Sequence, residues 1–481
     1  MGSENRPLHI ILFPFLAHGH IIPAISIANL FAARGVKVTI VTTPLNAPII
    51  SESLPSFNSP IHIQTIDFPC EQVGFPQGCE SMNSIPSPDL MRAFFEATTL
   101  LQEPLEQVLQ QSLPDCLVAD MFFPWATDSA AKFGIPAIVF HGTGLFALCA
   151  SECLRLYRPH DHVSSDSEPF VIPNLPGEIT MTRSQVPDFL KYNEDTIVSR
   201  LLFASKEAEL TCYGVVVNSF YELEKDYADH YRNVLGRKSW HIGPLSLRDR
   251  KTEEKSATQE HECFKWLDAK KPNSVVYVCF GSVTNFPESQ LRQIAMGMEA
   301  SGQQFIWVVR KPKKDEQQQE ERWLPDAGYE KRVEGRGLII RGWAPQGKIL
   351  EHKAIGAFVT HCGWNSTMES VCGGVPMVTW PVYAEQFYNE KLVTEVLKIG
   401  VPVGVTKWVR VTGDSMKWDA IERAVKRVME GEEAEELRDR AKLLALKARK
   451  AVEEGGSSYS DLNSLIQDLS VRRRPPEEVK Y

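Results

Sequence analysis

The sequence predicts an α/β protein built from two doubly wound, parallel-sheet domains that face each other across a cleft. The chain has 481 residues, too many for one ordinary hydrophobic core. Short apolar runs alternate with longer helical patterns through both halves, the signature of βαβ units and parallel strands. Between the halves, after His241-Ile242-Gly243-Pro244, the chain turns polar and charged. The predicted units are an N-terminal domain (1–245), a linker (246–260), a C-terminal domain (261–458) and a last helical pattern with a tail (459–481).

Residues 8–13 form the first buried-strand run. Residues 19–22 read as a turn, with Pro23 as a first helical residue, where a missing N–H costs nothing. That helix extends to about Arg34 and is stopped by Gly35. The next strand is 36–41, and further runs occur at 116–119, 137–140 and 215–217. The second half repeats the pattern at 275–280, 305–309, 337–340, 357–360 and 377–380. Within it, residues 311–322 (KPKKDEQQQEER) are a low-complexity charged loop. Ligands of such sheets lie beyond the carboxyl ends of the strands, so residues that follow strand ends carry the functional expectations.

Composition narrows the classes. An apolar content of 43% fits a globular chain, and a net charge of −9 argues against general binding to nucleic acid. The ten cysteines are scattered without a CxxC pair, so no disulfide framework is expected and a reducing cytoplasmic setting fits. His9, Pro14, His18, His20 and Pro23 interrupt the apolar N-terminal run, which does not suit a signal peptide. Arg6 stands where myristoylation of the Met1-Gly2 start would want Ser or Thr. No apolar run reaches the ~20 residues of a membrane span, so no membrane insertion is expected. Arg472-Arg473-Arg474, followed by Pro475-Pro476, reads as a solvated tail.

The segment from Trp343 to Gln386 is the most informative: WAPQGKILEHKAIGAFVTHCGWNSTMESVCGGVPMVTWPVYAEQ. Trp343 follows a strand end and can offer a ring face to a planar base; the alternative is a core tryptophan. The strand 357–360 leads to His361, Gly363 opens a tight turn, and Asn365-Ser366 begin a helix. Free amides and partial positive charge at such a helix start suit a diphosphate, to which His361 can add a donor. No GxxxxGK[ST] occurs, so this is not a P-loop. Ser366 and Glu369 equally match a capping box, and His361 with Cys362 offers too few ligands for a metal. Glu385 and Gln386, side by side after a strand and a turn, can grip adjacent sugar hydroxyls, unless they merely open an exposed helix. Base, diphosphate and sugar in a row describe a nucleotide sugar.

From WAPQ through HCGWNS to the final Glu-Gln, the segment resembles the signature box of plant UDP-dependent glycosyltransferases, and the resemblance runs from residue 8 to about 469. It implies a GT-B fold, with UDP-glucose as co-substrate and no metal or other cofactor. By position it implies that Trp343 stacks on uracil and that the Ala344 backbone bonds the base. Gln346 and Glu369 would hold the ribose. His361, Asn365 and Ser366 would hold the diphosphate, with Ser282 of Phe280-Gly281-Ser282 as a further contact. Trp364, Glu385 and Gln386 would read the sugar, and Trp364 and Gln386 both favour glucose. The last helix would return to the N-terminal domain, and the enzyme is expected to be a monomer.

A base is also needed at a strand end facing the donor. The turn 13–20 (FPFLAHGH) offers two histidines, and a histidine there is otherwise a cap or a packed polar residue. The resemblance selects His20 as the base and leaves His18 as the decoy. Asp120, after the strand 116–119, is the expected partner: a carboxylate on one imidazole nitrogen fixes the tautomer and supports the charge formed on proton abstraction. Asp115 and Asp128 are taken as surface or capping residues. The implied reaction is direct, inverting displacement at the anomeric carbon by an acceptor hydroxyl.

Phe122, Phe123, Trp125, Phe146 and Phe203 are candidates for an apolar acceptor wall, with ordinary core as the alternative. The resemblance implies a flavonoid, another phenol or a triterpenoid as acceptor. Two rivals exist. Gly142-Thr143-Gly144-Leu145-Phe146-Ala147 loosely fits the GxGxxA loop of a nicotinamide-dependent oxidoreductase, but no acid stands ~20 residues beyond it at a strand end. A non-catalytic sugar-nucleotide sensor would bind UDP-glucose without releasing UDP.

Overall fold

The computed structural model describes residues 6–54, 60–85, 87–192, 195–247, 262–310, 324–326 and 328–473. The Met1-Gly2 start, most of the linker 246–260, the charged loop 311–322 and Arg474 with the prolines after it lie outside the described residues.

The N-terminal half contains β1 (His9–Phe13), β2 (Lys37–Thr42), β3 (Ile61–Thr65), β4 (Cys116–Asp120), β5 (Ala137–His141), a small hairpin β6 (Pro169–Val171) and β7 (Thr180–Thr182), β8 (Gly214–Val217) and β9 (Ser239–His241). The C-terminal half contains β10 (Val275–Cys279), β11 (Gln304–Val309), β12 (Gly337–Arg341), β13 (Ile355–Thr360), β14 (Met377–Thr379) and β15 (Gly400–Pro402). Five helices matter below: α1 (His18–Ala32), α2 (Leu145–Tyr157), α3 (Trp364–Gly373), α4 (Gln386–Lys391) and α5 (Ser457–Val471).

The first sheet has the order β3-β2-β1-β4-β5-β8-β9 and the second β12-β11-β10-β13-β14-β15, with every pairing in both parallel. The central strands β1, β4, β5 and β13 are buried along their whole length, as parallel strands covered on both faces must be. In each sheet the order reverses once, between β1 and β4 and between β10 and β13. At such a reversal the loops leaving the two strands diverge and open a crevice. The expected α/β class is therefore observed in both halves.

Patterning found the central strands to within one or two residues and passed over β3, β9, β15 and the hairpin. Those are edge or isolated pieces of three to five residues, too short or too polar to read as buried runs.

Three local expectations are corrected. Helix α1 starts at His18, so Pro23 lies inside it and not at its first position. Of the basic run, Arg472 and Arg473 make contacts with the domain: the Arg472 guanidinium lies 4.4 Å from the centre of the Tyr213 ring, and Arg473 Nε is 3.5 Å from Asp115 Oδ1. Asp115 is accordingly no surface residue, since its Oδ2 also accepts the His9 backbone N–H at 2.8 Å. Asp128 is exposed.

Helix α5 lies on the N-terminal sheet. Leu462, Leu465 and Leu469 join that domain's core, and Asp461 Oδ2 accepts the backbone N–H of His241 at 2.8 Å. The two halves also meet directly, through Trp364 Nε1 donating to Asn218 O at 2.8 Å and Ser184 Oγ donating to Thr406 O at 2.7 Å.

Candidate active site

Both sheet reversals empty into the space between the halves, and the singled-out residues gather there. His20 sits in the first turn of α1, directly after β1, and Asp120 is the last residue of the neighbouring strand β4. His20 Nδ1 lies 2.7 Å from Asp120 Oδ2. Asp120 is 2% exposed, and its other oxygen, Oδ1, accepts the Phe122 backbone N–H at 3.1 Å. The carboxylate is thus held at both oxygens, and Nε2 of the imidazole is left for chemistry. Burial lowers the His20 pKa, but the charge and hydrogen bond of Asp120 and the charge of Glu385 outweigh it, and the net direction is upward. His18 is exposed, with its backbone N–H on Asn83 Oδ1.

The His20 ring also has an aromatic collar. Phe15 and Phe122 meet the His20 ring nearly edge-on, at 5.4 Å and 5.5 Å between centroids. Sequence reading missed Phe15 and had no means to separate Phe122 from Phe123. Phe123 is a correction: it is 1% exposed and stacked on Phe13 at 4.2 Å, so it is core. Phe146 is likewise core, 1% exposed with its ring edge-on to Tyr227. Trp125 is half-buried in the same stack as Phe13 and Phe123. Phe203 is 37% exposed on the helix Ile197–Thr211 and is not among the rings around His20. Of the expected acceptor wall, Phe122 alone among the described residues borders the His20 ring.

On the opposite side, Trp343 leaves the end of β12 and is 78% exposed. Ala344 is buried beside it, and Gln346 opens the short helix Gln346–Leu350. Gln346 Nε2 donates to Ser366 Oγ at 2.9 Å and to Glu369 Oε2 at 2.6 Å. Burial pushes the Glu369 carboxyl up to about 7, against the Gln346 hydrogen bond. The capping-box alternative fails: Gly363 caps α3, so Ser366 is the third residue inside the helix.

His361 follows β13 and sits in a cradle of glycines. A Cβ on Gly281 would lie 2.7 Å from its Cε1, and one on Gly363 2.4 Å from its Nε2. Burial holds His361 near a pKa of about 4, so it is neutral, and its buried Nδ1 has no partner. Ser282 is exposed in the turn after β10, across the sheet reversal from His361. Asn365, in the first turn of α3, donates from Nδ2 to the Gly19 carbonyl of the other domain at 3.1 Å. No group of three potential metal ligands occurs among the described residues.

Trp364 is a further correction. Its indole is 2% exposed and its N–H is spent on Asn218 O, so the ring packs at the domain junction instead of facing a sugar. Its backbone N–H instead meets the Glu385 carboxylate, which also accepts Asn389 Nδ2 at 3.3 Å. Burial raises the Glu385 pKa, and the nearby His20 opposes that rise. Gln386 Oε1 accepts the backbone N–H groups of Val382 and Tyr383 at 2.8 and 3.0 Å, so its amide NH2 is the part left to offer.

The dinucleotide-loop rival fails on geometry. The start of α2 is already filled by a carboxyl group: Glu224 Oε1 accepts the Phe146 backbone N–H at 2.7 Å. A Cβ on Gly144 would lie 2.5 Å from that carboxylate and 2.6 Å from the Trp364 ring. With that amide taken and no room beside it, the turn does not suit a pyrophosphate. The adjacent Thr143 hydroxyl is buried without a partner, a feature no motif announced.

Two facing doubly wound domains, with both reversals opening on one cleft, define the GT-B architecture. The family model of UDP-glucuronosyl and UDP-glucosyl transferases matches residues 97–437. The chain belongs to that family and is an enzyme, a plant-type UDP-dependent glycosyltransferase. It is 55% identical to a scopoletin glucosyltransferase of Nicotiana tabacum, over 96% of this chain and 98% of the relative. It is 56% identical to UDP-glucose flavonoid 3-O-glucosyltransferase 7 of Fragaria ananassa, over 98% of each. Among solved structures, Glycyrrhiza uralensis UGT73P12 complexed with glycyrrhetinic acid 3-O-monoglucuronide superposes with a TM-score of 0.88 at 40% identity, covering 97% of this chain and 96% of that one.

Proposed function

We propose that the chain transfers glucose from UDP-glucose to a hydroxyl of a plant phenol or triterpenoid with inversion of configuration, and that His20, oriented by Asp120, is the general base. The observation that carries this reading is the His20–Asp120 pair, 2.7 Å apart on one side of the cleft, with the Asn365 end of α3 touching the adjacent residue Gly19. Base and diphosphate site are thereby neighbours.

Uracil stacks on the exposed Trp343, with the Ala344 backbone at its edge. Gln346 and Glu369 take the ribose hydroxyls; Glu369, protonated near neutrality, can donate as well as accept. The amides at the start of α3, with His361, Asn365, Ser366 and Ser282, receive the diphosphate. The glycines around His361 Nε2 leave room for an approaching phosphate oxygen. Glu385, the Gln386 NH2 and the Thr143 hydroxyl face the sugar. His20 Nε2 takes the proton of the acceptor hydroxyl as its oxygen forms the bond to the anomeric carbon, and UDP departs from the opposite face.

General base catalysis supplies ~10²–10⁴ in rate, about 3–5 kcal/mol. Alignment of the two substrates can supply ~7–11 kcal/mol, so positioning by the two domains outweighs the base. No metal is needed in this scheme, because helix amides and neutral donors stabilise the leaving UDP. The acceptor class follows the scopoletin and flavonoid activities of the relatives, a monomer suffices for the site, and the reading places the enzyme in the cytoplasm. No helix among the described residues is long and apolar enough to cross a membrane.

The test is His20→Ala with UDP affinity measured by calorimetry. Turnover should fall by roughly 10²–10⁴ with little change in UDP binding, and residual activity should persist on acidic phenols. Loss of UDP binding instead would refute the assignment of His20, and UDP-glucose binding without UDP release by the unaltered enzyme would favour the sensor reading.

A further inference from the structure

The geometry points to Pro23 as a positioning residue for the base, acting through the Gly19 carbonyl and the Asn365 amide; this rests on the reading of His20 and the donor site given above. Helix α1 opens at His18, so Pro23 stands in its interior, where proline is the least favourable residue. In a regular helix the N–H of residue 23 would donate to the carbonyl four residues back, that of Gly19. Proline has no N–H, and its ring presses against that same carbonyl. The Gly19 oxygen is thus denied its ladder partner at the peptide group that joins Gly19 to His20.

The partner it has instead comes from the other domain: Asn365 Nδ2, at 3.1 Å. The carbonyl makes this contact, not the lack of a side chain. A Cβ on Gly19 would sit 3.9 Å from Asn365 Nδ2, ordinary van der Waals distance. A primary amide NH2 carries two hydrogens. One is directed to Gly19, and the other remains for a phosphate oxygen at the start of α3. The single Asn365 side chain then ties the donor's diphosphate to the peptide group beside the base, and Pro23 keeps the acceptor end of that link open. A residue with an N–H at position 23 would draw the Gly19 carbonyl back into the helix and loosen the link, with every side chain of the donor site left in place.

A double-mutant cycle of Pro23→Ala and Asn365→Ala in the full chain tests this, with kcat and KM for UDP-glucose and a phenol, and with UDP affinity by calorimetry. Pro23→Ala should lower kcat roughly ten-fold, as a modest misplacement of the base would. Its UDP affinity and KM for UDP-glucose should stay within about two-fold, and its melting temperature should hold or rise, because alanine suits a helix interior. In the Asn365→Ala background the same change should cost less than about two-fold. Pro23→Ser restores the same N–H and should repeat the result. An unchanged kcat in both proline variants, or an equal loss in both backgrounds, would overturn the proposal. If Asn365→Ala leaves UDP affinity intact, the diphosphate role of Asn365 fails separately, and the link is judged on the coupling alone.

Discussion

His20 Nδ1 and Asp120 Oδ2 stand 2.7 Å apart although 100 residues separate them in the chain. The parallel pairing of β1 with β4 brings the two strand ends together, and the Phe122 amide on the second carboxylate oxygen stops the group from turning away. Because Asp120 outweighs burial and leaves the His20 pKa raised, the enzyme should gain kcat/KM as pH rises through that raised value and the base loses its proton. Asp120→Asn removes the charge that raises it. The acidic limb of the pH–rate profile should therefore move to lower pH while the plateau falls, through loss of tautomer control. A limb displaced to higher pH would contradict the pairing.

Trp343 is 78% exposed, so its removal should leave the fold untouched. Trp343→Ala should weaken UDP binding by about 1–3 kcal/mol, the usual worth of one base–aromatic stack, with no change in melting temperature. Calorimetric titration with UDP checks this, and unaltered affinity would remove the indole from the site.

Gln386 holds the turn amides of Val382 and Tyr383 with a single oxygen, which an imidazole nitrogen with one in-plane lone pair does not reproduce. Gln386→His should lower kcat/KM for UDP-glucose and shift the preference toward UDP-galactose. A donor ratio equal to that of the unaltered enzyme, measured in competition, would refute a sugar-reading role.

Glu390 is 4% exposed, accepts the Thr379 hydroxyl at 2.7 Å and is pushed by burial from 4.5 to about 7. Between those values the folded chain holds a proton that the unfolded chain has released. Stability is therefore lost as pH rises from 4.5 to about 7 and stays level above it. Glu390→Gln keeps the shape without the titration, so it should be more stable than the parent above pH 7, by up to about 3 kcal/mol. Parallel melting curves for the two proteins across this range would contradict it.

Much of this was legible in the sequence, for physical reasons. Buried parallel strands such as β1, β4 and β13 must be apolar throughout, so they stand out as runs, and the residues that follow them mark the cleft. What stayed hidden depends on contacts between distant segments. Pro23 reads as a helix start because proline usually stands there, whereas α1 begins five residues earlier, at His18. The Ser366–Glu369 spacing is shared by a capping box and a ligand pair, and the helix start at Trp364 excludes the capping box. Phe122 and Phe123 are neighbours of identical chemistry, and the direction of the chain as it leaves β4 sends one to His20 and the other to Phe13. Trp364 looks like a sugar reader by position, yet Asn218, from the far domain, claims its N–H.

The most direct test is a crystal structure of the enzyme with UDP and a phenolic acceptor. The expected result is uracil lying on Trp343, the diphosphate at the first turn of α3 beside Asn365, and the acceptor oxygen within hydrogen-bonding distance of His20 Nε2. A nucleotide bound away from Trp343, or an acceptor oxygen out of reach of His20 with both substrates in place, would contradict the account.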